Sequence, residues 1–383
     1  MINLIRQIRK PKYQSLNIIE IIKDNLINNL NYLYSLQPQA EIFPVLKSNA
    51  YGHGLKEVCK ILNETQVKMI AIDSFPEAQI AYKNFKGRVL ILGEMPLRAY
   101  RYCKLKRTDF IVYNSETLKY LSKYKKRANI HLFLNTGMNR EGIDNIEDFI
   151  DKNKNYIDKV NIAGFCSHLA EADDPESNFN EKQEALFFKG LEVLHNNKIY
   201  PQWIHLGNSG GVFLLKNKIL NAFRPGISFY GYNPFKSGAN EDINLTESLK
   251  PALKLKSTVV ATHKASAGDK VSYGNSLRLE ESTNIAVIPF GYFEGLDRRF
   301  SNRAKFLYRN KENIIWVKIA GKVCMNLSCL DFKNREVKVG DQVEIISEIK
   351  NMENSLENLS EKIGVLSYEI LVNLKSNIKR VIK

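Results

Sequence analysis

The sequence predicts an α/β protein in which a (β/α)8 TIM barrel forms the N-terminal domain and a mainly β C-terminal domain follows it. Eight short apolar runs recur between Ile42 and Ser228 and alternate with amphipathic helical segments, which is the pattern of a parallel barrel. After Phe235 the composition changes, and strand-like runs follow Gly-Asp turns. A chain of 383 residues with 44% apolar content can bury a core in each of two domains. We therefore expect the barrel at residues 1–240 and the β domain at 241–383, with residues 1–15 as a candidate strand of the β domain.

The barrel elements follow one another in order. Leu16–Leu36 carries apolar residues at helical spacing and is predicted to form the first helix. The eight predicted strands are Ile42–Leu46, Met69–Ile72, Val89–Leu92, Phe110–Val112, Ile130–Leu134, Ile162–Phe165, Trp203–Leu206 and Ala222–Ser228. Helices such as Glu116–Tyr124 and Glu181–Asn196 are predicted between them. In a barrel of this kind, functional residues lie just past the carboxyl ends of the strands.

The second domain is predicted to begin after a polar linker at Lys236–Glu247. The predicted strands beyond the linker are Ala252–Ala261, Ile285–Pro289, Ile314–Ile319, Val323–Leu330 and Val343–Ile346. Ser355–Leu374 is predicted to be helical, and Asn377–Lys383 is predicted to return as a final strand.

Charge and cysteine content exclude several classes of function. The net charge of +15 comes from scattered lysines without a recognition module, so no nucleic-acid partner is expected. The five dispersed cysteines contain no Cys-x-x-Cys pair, which argues against a disulfide framework and a metal site and fits a cytoplasmic location. No signal-peptide core and no run of about 18 apolar residues occurs, so no membrane partner is expected.

The first candidate for chemistry is Lys47, in the stretch IFPVLKSNAYGHG at Ile42–Gly54. It follows a buried strand and precedes small and glycine residues, which suit a loop that enters a helix. At such a cleft, partial desolvation lowers the pKa of an amine and allows it to attack a carbonyl or to hold a Schiff base. A solvated lysine that caps the strand would give the same pattern.

A second candidate site combines LGNSGG at Leu206–Gly211 with RPGI at Arg224–Ile227. These segments lie after the seventh strand and at the eighth, where barrels often bind phosphate through backbone N–H groups and a Ser hydroxyl. Gly and Ser also mark ordinary loops, so an ordinary loop is the alternative.

The stretch around Lys47, in which the lysine is followed by NAYGHG at Asn49–Gly54, resembles the pyridoxal-phosphate lysine motif of the alanine racemase family. The members of this family are fold-type III pyridoxal-phosphate enzymes. The resemblance implies that pyridoxal 5'-phosphate is the cofactor, with Lys47 as its covalent anchor and Tyr51 as a donor to its phosphate. It implies that Arg224 lies beside the pyridine nitrogen and that His168 lies against the ring. The other cofactor contacts that it implies are Asn208, Ser209, Gly226, Ile227 and Tyr368.

VSYGN at Val271–Asn275 resembles the family segment whose tyrosine acts opposite the lysine, from the partner subunit. Racemisation exchanges a proton on both faces of one planar carbanion, so it requires two bases. The resemblance makes Lys47 and Tyr273 that pair in a homodimer with shared active sites, and Lys47 then acts on the D-enantiomer. A phenol needs cationic help to act as a base at neutral pH, and we expect it from His168 with Arg224.

Substrate binding is implied for Arg140, which matches the arginine that binds the substrate carboxylate, and for Met325 in VCMN, which matches a contact across the dimer interface. Many family members brace this arginine with a carbamylated lysine, followed two residues later by an aspartate. Here those positions hold Phe133 and Asn135. Arg140 therefore needs another partner, for which we consider a bound chloride or the Asn135 amide.

The resemblance implies an isomerase, an alanine racemase that supplies D-alanine for peptidoglycan. One alternative is a broad-specificity amino-acid racemase, which Phe133 and Asn135 favour. Another is a non-catalytic pyridoxal-phosphate carrier, which shares the barrel and the lysine. Such carriers usually lack the β domain and its tyrosine, so the VSYGN segment counts against this alternative.

Overall fold

The computed structural model describes residues 14–236, 248–309 and 314–383. Residues 1–13 of the candidate N-terminal strand and residues 237–247 of the predicted linker lie outside the described residues. The chain forms two compact units. We call Ile21–Ala252 with Ile382–Lys383 the barrel unit, and Leu253–Val381 with the residues up to Glu20 the β unit.

The first described element is β1 (Asn17–Ile21), and α1 (Lys23–Leu36) follows it. Ile19 and Ile21 are buried while Glu20 between them is half-buried, which is the two-residue period of a strand. The prediction of a helix from Leu16 was therefore wrong for its first turns, because these residues alternate between two faces.

The barrel unit contains parallel strands that follow the predicted eight runs. They are β2 (Glu41–Ile42), β3 (Met69–Ile72), β4 (Arg88–Ile91), β5 (Thr108–Val112), β6 (Asn129–Phe133), β7 (Asn161–Cys166), β8 (Trp203–His205) and β9 (Ala222–Phe223). β3 to β8 form one parallel sheet in sequence order, and β2 pairs with β9. A bridge between Val45 and Ala71 joins the β2 segment to β3. The Arg224 N–H donates to Gly207 O (2.9 Å) and joins the β9 segment to the end of β8, so the sheet curls into the predicted barrel.

Helices connect the strands, as their amphipathic spacing predicted. Besides α1 they are α2 (Leu55–Leu62), α3 (Phe75–Asn84), α4 (Ser115–Tyr124), α5 (Ile146–Ile157), α6 (Phe179–Asn196) and α7 (Gly211–Leu214), with 3-10 turns at Leu97–Tyr102 and Leu105–Arg107. α4 illustrates the local cause: Asn114 caps its first turn by accepting the Thr117 N–H (2.8 Å), and Leu118 and Leu121 are buried.

An apolar cluster lies within the barrel unit. Its buried members are Phe43, Val45, Met69, Ala71, Leu90, Ile111, Phe133, Cys166 and Ala222. Residues of this kind fill a barrel interior, so the chemistry is left to the loops beyond the strands.

Besides β1, the strands of the β unit are β10 (Leu253–Thr258), β11 (Ala261–Ala265), β12 (Lys270–Val271), β13 (Leu277–Arg278), β14 (Thr283–Ile288), β15 (Lys305–Arg309), β16 (Ile314–Ile319), β17 (Ser328–Asp331), β18 (Gln342–Ile346) and β19 (Lys379–Ile382). Among the described residues, nine strands form one sheet in the order β11-β14-β17-β16-β15-β18-β10-β1-β19, and β12 pairs separately with β13. Short 3-10 turns lie at Tyr273–Asn275 and Arg298–Phe300.

The β unit differs from the prediction in several details. The predicted strand Ala252–Ala261 is interrupted between β10 and β11, and β15 (Lys305–Arg309) was not predicted. The predicted helix Ser355–Leu374 is two helices, α8 (Leu356–Ile363) and α9 (Ser367–Asn373), because Gly364 ends the first in a left-handed conformation (φ +67°). The predicted strand Val323–Leu330 begins only at Ser328. No helix of the described residues is long and apolar enough to span a bilayer.

Candidate active site

Lys47 directly follows the Ile42–Leu46 segment and begins a turn of unusual hand. Ser48, Asn49, Ala50 and Tyr51 all have φ between 50° and 56°, in the left-handed region. Each non-glycine residue in that conformation costs about 1–2 kcal/mol. Backbone strain of this size persists only where the surroundings impose it, and it is most common at functional sites.

Glu77, in the first turn of α3, holds the left-handed turn in place. Its carboxylate accepts the Ser48 N–H (2.7 Å) and the Asp73 N–H (2.8 Å), and more weakly the Asn49 N–H (3.4 Å). On the other side, Asn49 Oδ1 accepts the Leu55 N–H at the start of α2 (2.9 Å). These contacts offset the strain and fix where Lys47 and Tyr51 project.

Three of the predicted phosphate residues, Tyr51, Ser209 and Gly226, lie together. A Cβ placed on Gly226 would stand 2.5 Å from Tyr51 Oη, so only a glycine leaves room for that hydroxyl. Ser209 Oγ accepts the N–H groups of Gly226 (2.9 Å) and Ser228 (3.2 Å), and Ile227 is buried between them. Burial raises the pKa of Tyr51 to about 12, so its hydroxyl remains a donor. We call Tyr51, Ser209 and Gly226–Ser228 the anion cradle.

Asn208 shapes this loop from within. Its Oδ1 accepts the Gly211 N–H (3.1 Å), and its Nδ2 donates to Leu169 O (3.3 Å). The side chain therefore holds the loop that carries Ser209.

Arg224 is buried, and its guanidinium is held from two sides. Nη1 donates to His205 O (3.0 Å) and to His205 Nδ1, and Nη2 donates to Ser167 O. Burial, the Arg224 charge and His131 hold the pKa of His205 well below its ordinary value, so this imidazole is neutral. A neutral ring that accepts at Nδ1 carries its proton on Nε2.

The contact continues into the barrel as a polar relay, by which we mean Arg224, His205, His131, Asp109 and Arg88. His205 Nε2 lies 2.7 Å from His131 Nδ1, and His131 Nε2 lies 3.2 Å from Asp109 Oδ2. Asp109 also accepts from Arg88 Nη2. Burial alone would raise the pKa of Asp109, but the hydrogen bonds and charges of His131 and Arg88 lower it overall. The carboxylate therefore stays ionised and orients both imidazoles.

The sequence analysis did not single out His205, His131 or Asp109. A signal existed for His205, which stands at the end of β8 immediately before the LGNSGG loop. None existed for Asp109 and His131, which lie within strands.

The pKa of His168 is lowered to about 3. Burial is the largest cause, and the charges of Arg224, Arg140 and Lys47 add to it. His168 is therefore neutral at pH 7, and the part of the expectation in which His168 gives cationic help to a tyrosine is wrong.

Arg140 is paired with its neighbour Glu141, whose carboxylate accepts from Arg140 Nη2 (2.7 Å) and Nε (2.5 Å). The oxygen of the Asn135 amide, which is the atom that could accept from Arg140, instead accepts the N–H groups of Gly137 (3.0 Å) and Asn139 (3.1 Å). The suggestion that Asn135 braces Arg140 was therefore wrong.

Three predicted residues lie in the β unit. Tyr273 and Met325 are 69% and 55% exposed, and Tyr368 lies on α9. The segments of Tyr273 and Met325 are adjacent, because Ser272 Oγ donates to Lys322 O (2.6 Å). The Phe293 N–H donates to Met325 O (2.8 Å) and ties a third exposed segment to them.

Comparison with known proteins identifies the family. Residues 21–234 match the model of the alanine racemase N-terminal domain, and residues 252–382 match that of the alanine racemase C-terminal domain. The chain belongs to the alanine racemase family. An alanine racemase of Borreliella burgdorferi is 31% identical over 371 residues, which cover 93% of this chain and 94% of that protein. The fold class and the resemblance predicted from the sequence are thereby confirmed.

Solved structures of the alanine racemase family share both units. An alanine racemase from Bacillus anthracis with bound L-Ala-P has a TM-score of 0.87 at 25% identity and covers 97% of this chain and 96% of its own. One from Bartonella henselae contains covalently bound pyridoxal phosphate and has a TM-score of 0.82 at 24% identity, with 97% and 100% of the two chains covered.

The residues around Lys47 fit the cofactor of that last structure. The anion cradle provides the protonated phenol of Tyr51 and the hydroxyls of Ser209 and Ser228, which are donors that a phosphate accepts. Ser228 Oγ is buried, and no described residue bonds to it. Lys47 and Arg224 add an amine and a guanidinium that its contacts with His205 O and Ser167 O hold in place.

Proposed function

We propose that this protein is a pyridoxal-phosphate-dependent alanine racemase, which interconverts L- and D-alanine. The observation that carries the proposal is the anion cradle beside the turn that begins at Lys47, in which Tyr51 Oη lies against Gly226 and Ser209 Oγ accepts the Gly226 and Ser228 N–H groups. The cradle offers a phosphate site next to an amine that can bind a carbonyl. Arg224 adds a fixed guanidinium for a ring nitrogen, and Arg140 adds one for a carboxylate.

Lys47 would hold pyridoxal 5'-phosphate covalently, and the cradle residues with Asn208 and Tyr368 would secure its phosphate. When bound, the cofactor withdraws electrons from the substrate and acidifies its α-hydrogen. Arg224 keeps its proton, because a guanidinium does not deprotonate in proteins and the ionised Asp109 anchors the polar relay behind it. Arg224 therefore offers the ring nitrogen a hydrogen bond without giving it a proton.

Two bases would then exchange the α-proton. Lys47 Nζ, freed as an amine when the substrate amine takes its place, would remove it from the D-enantiomer, and the partner subunit's Tyr273 would remove it from the L-enantiomer, since each face of a planar carbanion needs its own base. Arg140 holds the substrate carboxylate so that the α-carbon stays between the bases. Met325 would contribute to substrate binding from the same segment cluster as Tyr273.

A homodimer with shared sites is part of the proposal. Its support is a patch of exposed apolar side chains in the β unit, because such patches mark interaction surfaces. The patch consists of Tyr273, Tyr292, Phe293, Met325 and Leu327. The cysteines described are all unpaired, which fits a cytoplasmic enzyme that supplies D-alanine for peptidoglycan. We further propose a domain boundary near residue 240.

The deciding experiment incubates purified, cofactor-loaded protein with L-alanine in deuterated water and follows optical rotation together with loss of the α-hydrogen. We expect both to change in parallel, and faster for alanine than for serine, lysine or arginine. A preference for a basic amino acid would support the broad-specificity racemase instead. Cofactor binding without exchange of any α-hydrogen would support the non-catalytic carrier.

Two variants test the bases. Lys47→Ala should abolish the absorbance of the covalently bound cofactor, and its persistence would refute the anchoring role. Tyr273→Phe should retain this absorbance but lose most L-to-D conversion. Unchanged conversion would show that another group is the second base.

A further inference from the structure

We infer that Glu141 is a positioning residue, which holds the Arg140 guanidinium with one edge turned to the substrate carboxylate. The inference rests on the proposed function, because it concerns how that site binds an amino acid. Neither the sequence resemblance nor the relatives assign a role to this position.

The loop that carries the pair is closed at its base. Beyond β6, the Asn135 N–H donates to Ile143 O (3.0 Å), and the Ile143 N–H returns to Phe133 O (2.8 Å). Gly142 has φ +131°, and a Cβ there would stand 2.6 Å from Asn135 N, so the chain turns too tightly for a side chain. Arg140 and Glu141 therefore project from a fixed loop.

Asn135 braces this loop with its whole amide group. Its Oδ1 accepts the N–H groups of Gly137 (3.0 Å) and Asn139 (3.1 Å), while its Nδ2 donates to Asn139 Oδ1 and Asp144 Oδ1. Two donors and two acceptor positions are all that an amide has. Asn135 thus has no further hydrogen bond to give Arg140.

Glu141 provides the hydrogen-bond acceptors for Arg140 that Asn135 does not. Its two carboxylate oxygens accept from Arg140 Nε and Nη2, which is a bidentate pair along one edge of the guanidinium. The described residues leave the other edge, formed by Nη1 and the second Nη2 proton, to a ligand. A planar guanidinium can bind one carboxylate on each of two edges.

The loop of the pair is joined to the candidate active site. Gln183 Nε2 donates both to Thr136 Oγ1 in this loop (3.0 Å) and to His168 O (3.0 Å). In keeping with this contact, the Arg140 charge contributes to the lowered pKa of His168. Phe133, whose ring lies in the apolar barrel cluster, brings no charge to Arg140. Among the described residues, the anion that orients Arg140 is therefore Glu141.

Two effects of Glu141 oppose each other. Its negative charge weakens the attraction of Arg140 for a second carboxylate, but the side chains are 52% and 27% exposed, so water screens this repulsion. Its bidentate contact removes most of the rotational freedom of a long side chain before substrate arrives. We expect the second effect to dominate, so that loss of Glu141 weakens carboxylate binding.

The test uses cofactor-loaded protein and two probes that each lack half of alanine. Propionate has the carboxylate without the amine, and ethylamine has the amine without the carboxylate. Glu141→Ala should raise the inhibition constant of propionate and the KM for L-alanine at least tenfold, with a smaller loss of kcat. The affinity for ethylamine should stay within twofold. Glu141→Asp keeps the charge and should recover part of the propionate affinity.

Glu147→Gln is the matched control, because Glu147 is an exposed carboxylate nearby on α5 that the site does not use. Glu147→Gln should leave the inhibition constants of propionate and ethylamine and the KM and kcat for L-alanine within twofold of wild type. Propionate that binds Glu141→Ala as tightly as wild type, or more tightly, would overturn the inference. If Glu141→Ala does not fold, Glu141→Gln replaces it, and unchanged propionate binding there has the same meaning. Wild-type protein that binds propionate through Glu141 but racemises nothing would refute the proposed function alone.

Discussion

Replacing Gly226 with alanine would test the anion cradle with one carbon atom. The new Cβ would stand 2.5 Å from Tyr51 Oη and 2.9 Å from Tyr51 Cζ, whereas ordinary contact begins at 3.4 Å. The hydroxyl must therefore retreat by the difference of 0.9 Å. Tyr51 cannot do so freely, because its ring packs against that of Tyr230, with 5.1 Å between the ring centroids. Tyr230 is itself fixed, since it is buried and donates to Val45 O.

A hydrogen bond of normal length that is stretched by this amount is lost. A bond to a charged acceptor contributes about 1.5–3 kcal/mol, and each 1.4 kcal/mol is a factor of ten in binding. We therefore expect Gly226→Ala to weaken binding of pyridoxal 5'-phosphate by a factor of roughly 10 to 150. Overpacking should also lower the free energy of unfolding by about 1–3 kcal/mol.

Absorbance titration of cofactor-free protein with pyridoxal 5'-phosphate measures this loss. Gly211→Ala is the control, since a Cβ there would first meet Leu169 Cδ1 at 3.2 Å, at the end of an adaptable side chain. Tyr51→Phe should cause a similar loss, and adding Gly226→Ala to it should cost little more. Full additivity of the two changes, or unchanged affinity in Gly226→Ala, would show that the Tyr51 hydroxyl does not bind the phosphate.

Three further predictions concern the supports of the site. Glu77→Ala removes the acceptor of the Ser48 and Asp73 N–H groups, so hydrogen exchange at Ser48 should accelerate at least tenfold, and unchanged exchange would mean that the left-handed turn holds without it. Asp109→Ala removes the buried carboxylate that accepts from His131 and Arg88. The free energy of unfolding, measured by urea denaturation, should fall by about 3–5 kcal/mol. A loss below about 1 kcal/mol would show that this carboxylate does not hold the polar relay together. His168 has a lowered pKa of about 3, so below pH 6.5 the unfolded chain binds a proton that the folded chain does not. The free energy of unfolding should therefore fall by about 1 kcal/mol between pH 6.5 and 5.5. His168→Gln should lack this part of the pH dependence of stability.

The barrel strands and the residues at their ends could be predicted because they depend on local periodicity. Buried runs set the strands, and parallel strands in a barrel place their carboxyl ends on one face, so Lys47 and Gly226 could be expected near each other. The strand at Asn17–Ile21 could not be separated from α1, because Ile19 has an apolar partner at strand spacing, Ile21, and another at helical spacing, Ile22, in so short a segment.

The conformation of the left-handed turn after Lys47 could not be predicted from the residues of the turn itself. Asparagine tolerates this conformation, but Ser48, Ala50 and Tyr51 do not favour it. What overrides their preference is the carboxylate of Glu77, which lies on a different helix. The NAYGHG segment thus showed that something special happens there, while its geometry depends on a residue outside it.

The polar relay extends the same argument to Arg224. His205 accepts from Arg224 at Nδ1, and Asp109 accepts from His131 Nε2, so the direction of the whole chain is set by its charged ends, the Asp109 carboxylate and the Arg224 guanidinium. Its members come from β4, β5, β6 and β8 and from the segment after β9. Within each strand a lone polar residue among apolar neighbours looks like a defect in the pattern. Only the closure of the barrel turns these residues into one another's partners, so the orientation of Arg224 is a property of the sheet and not of any segment of sequence.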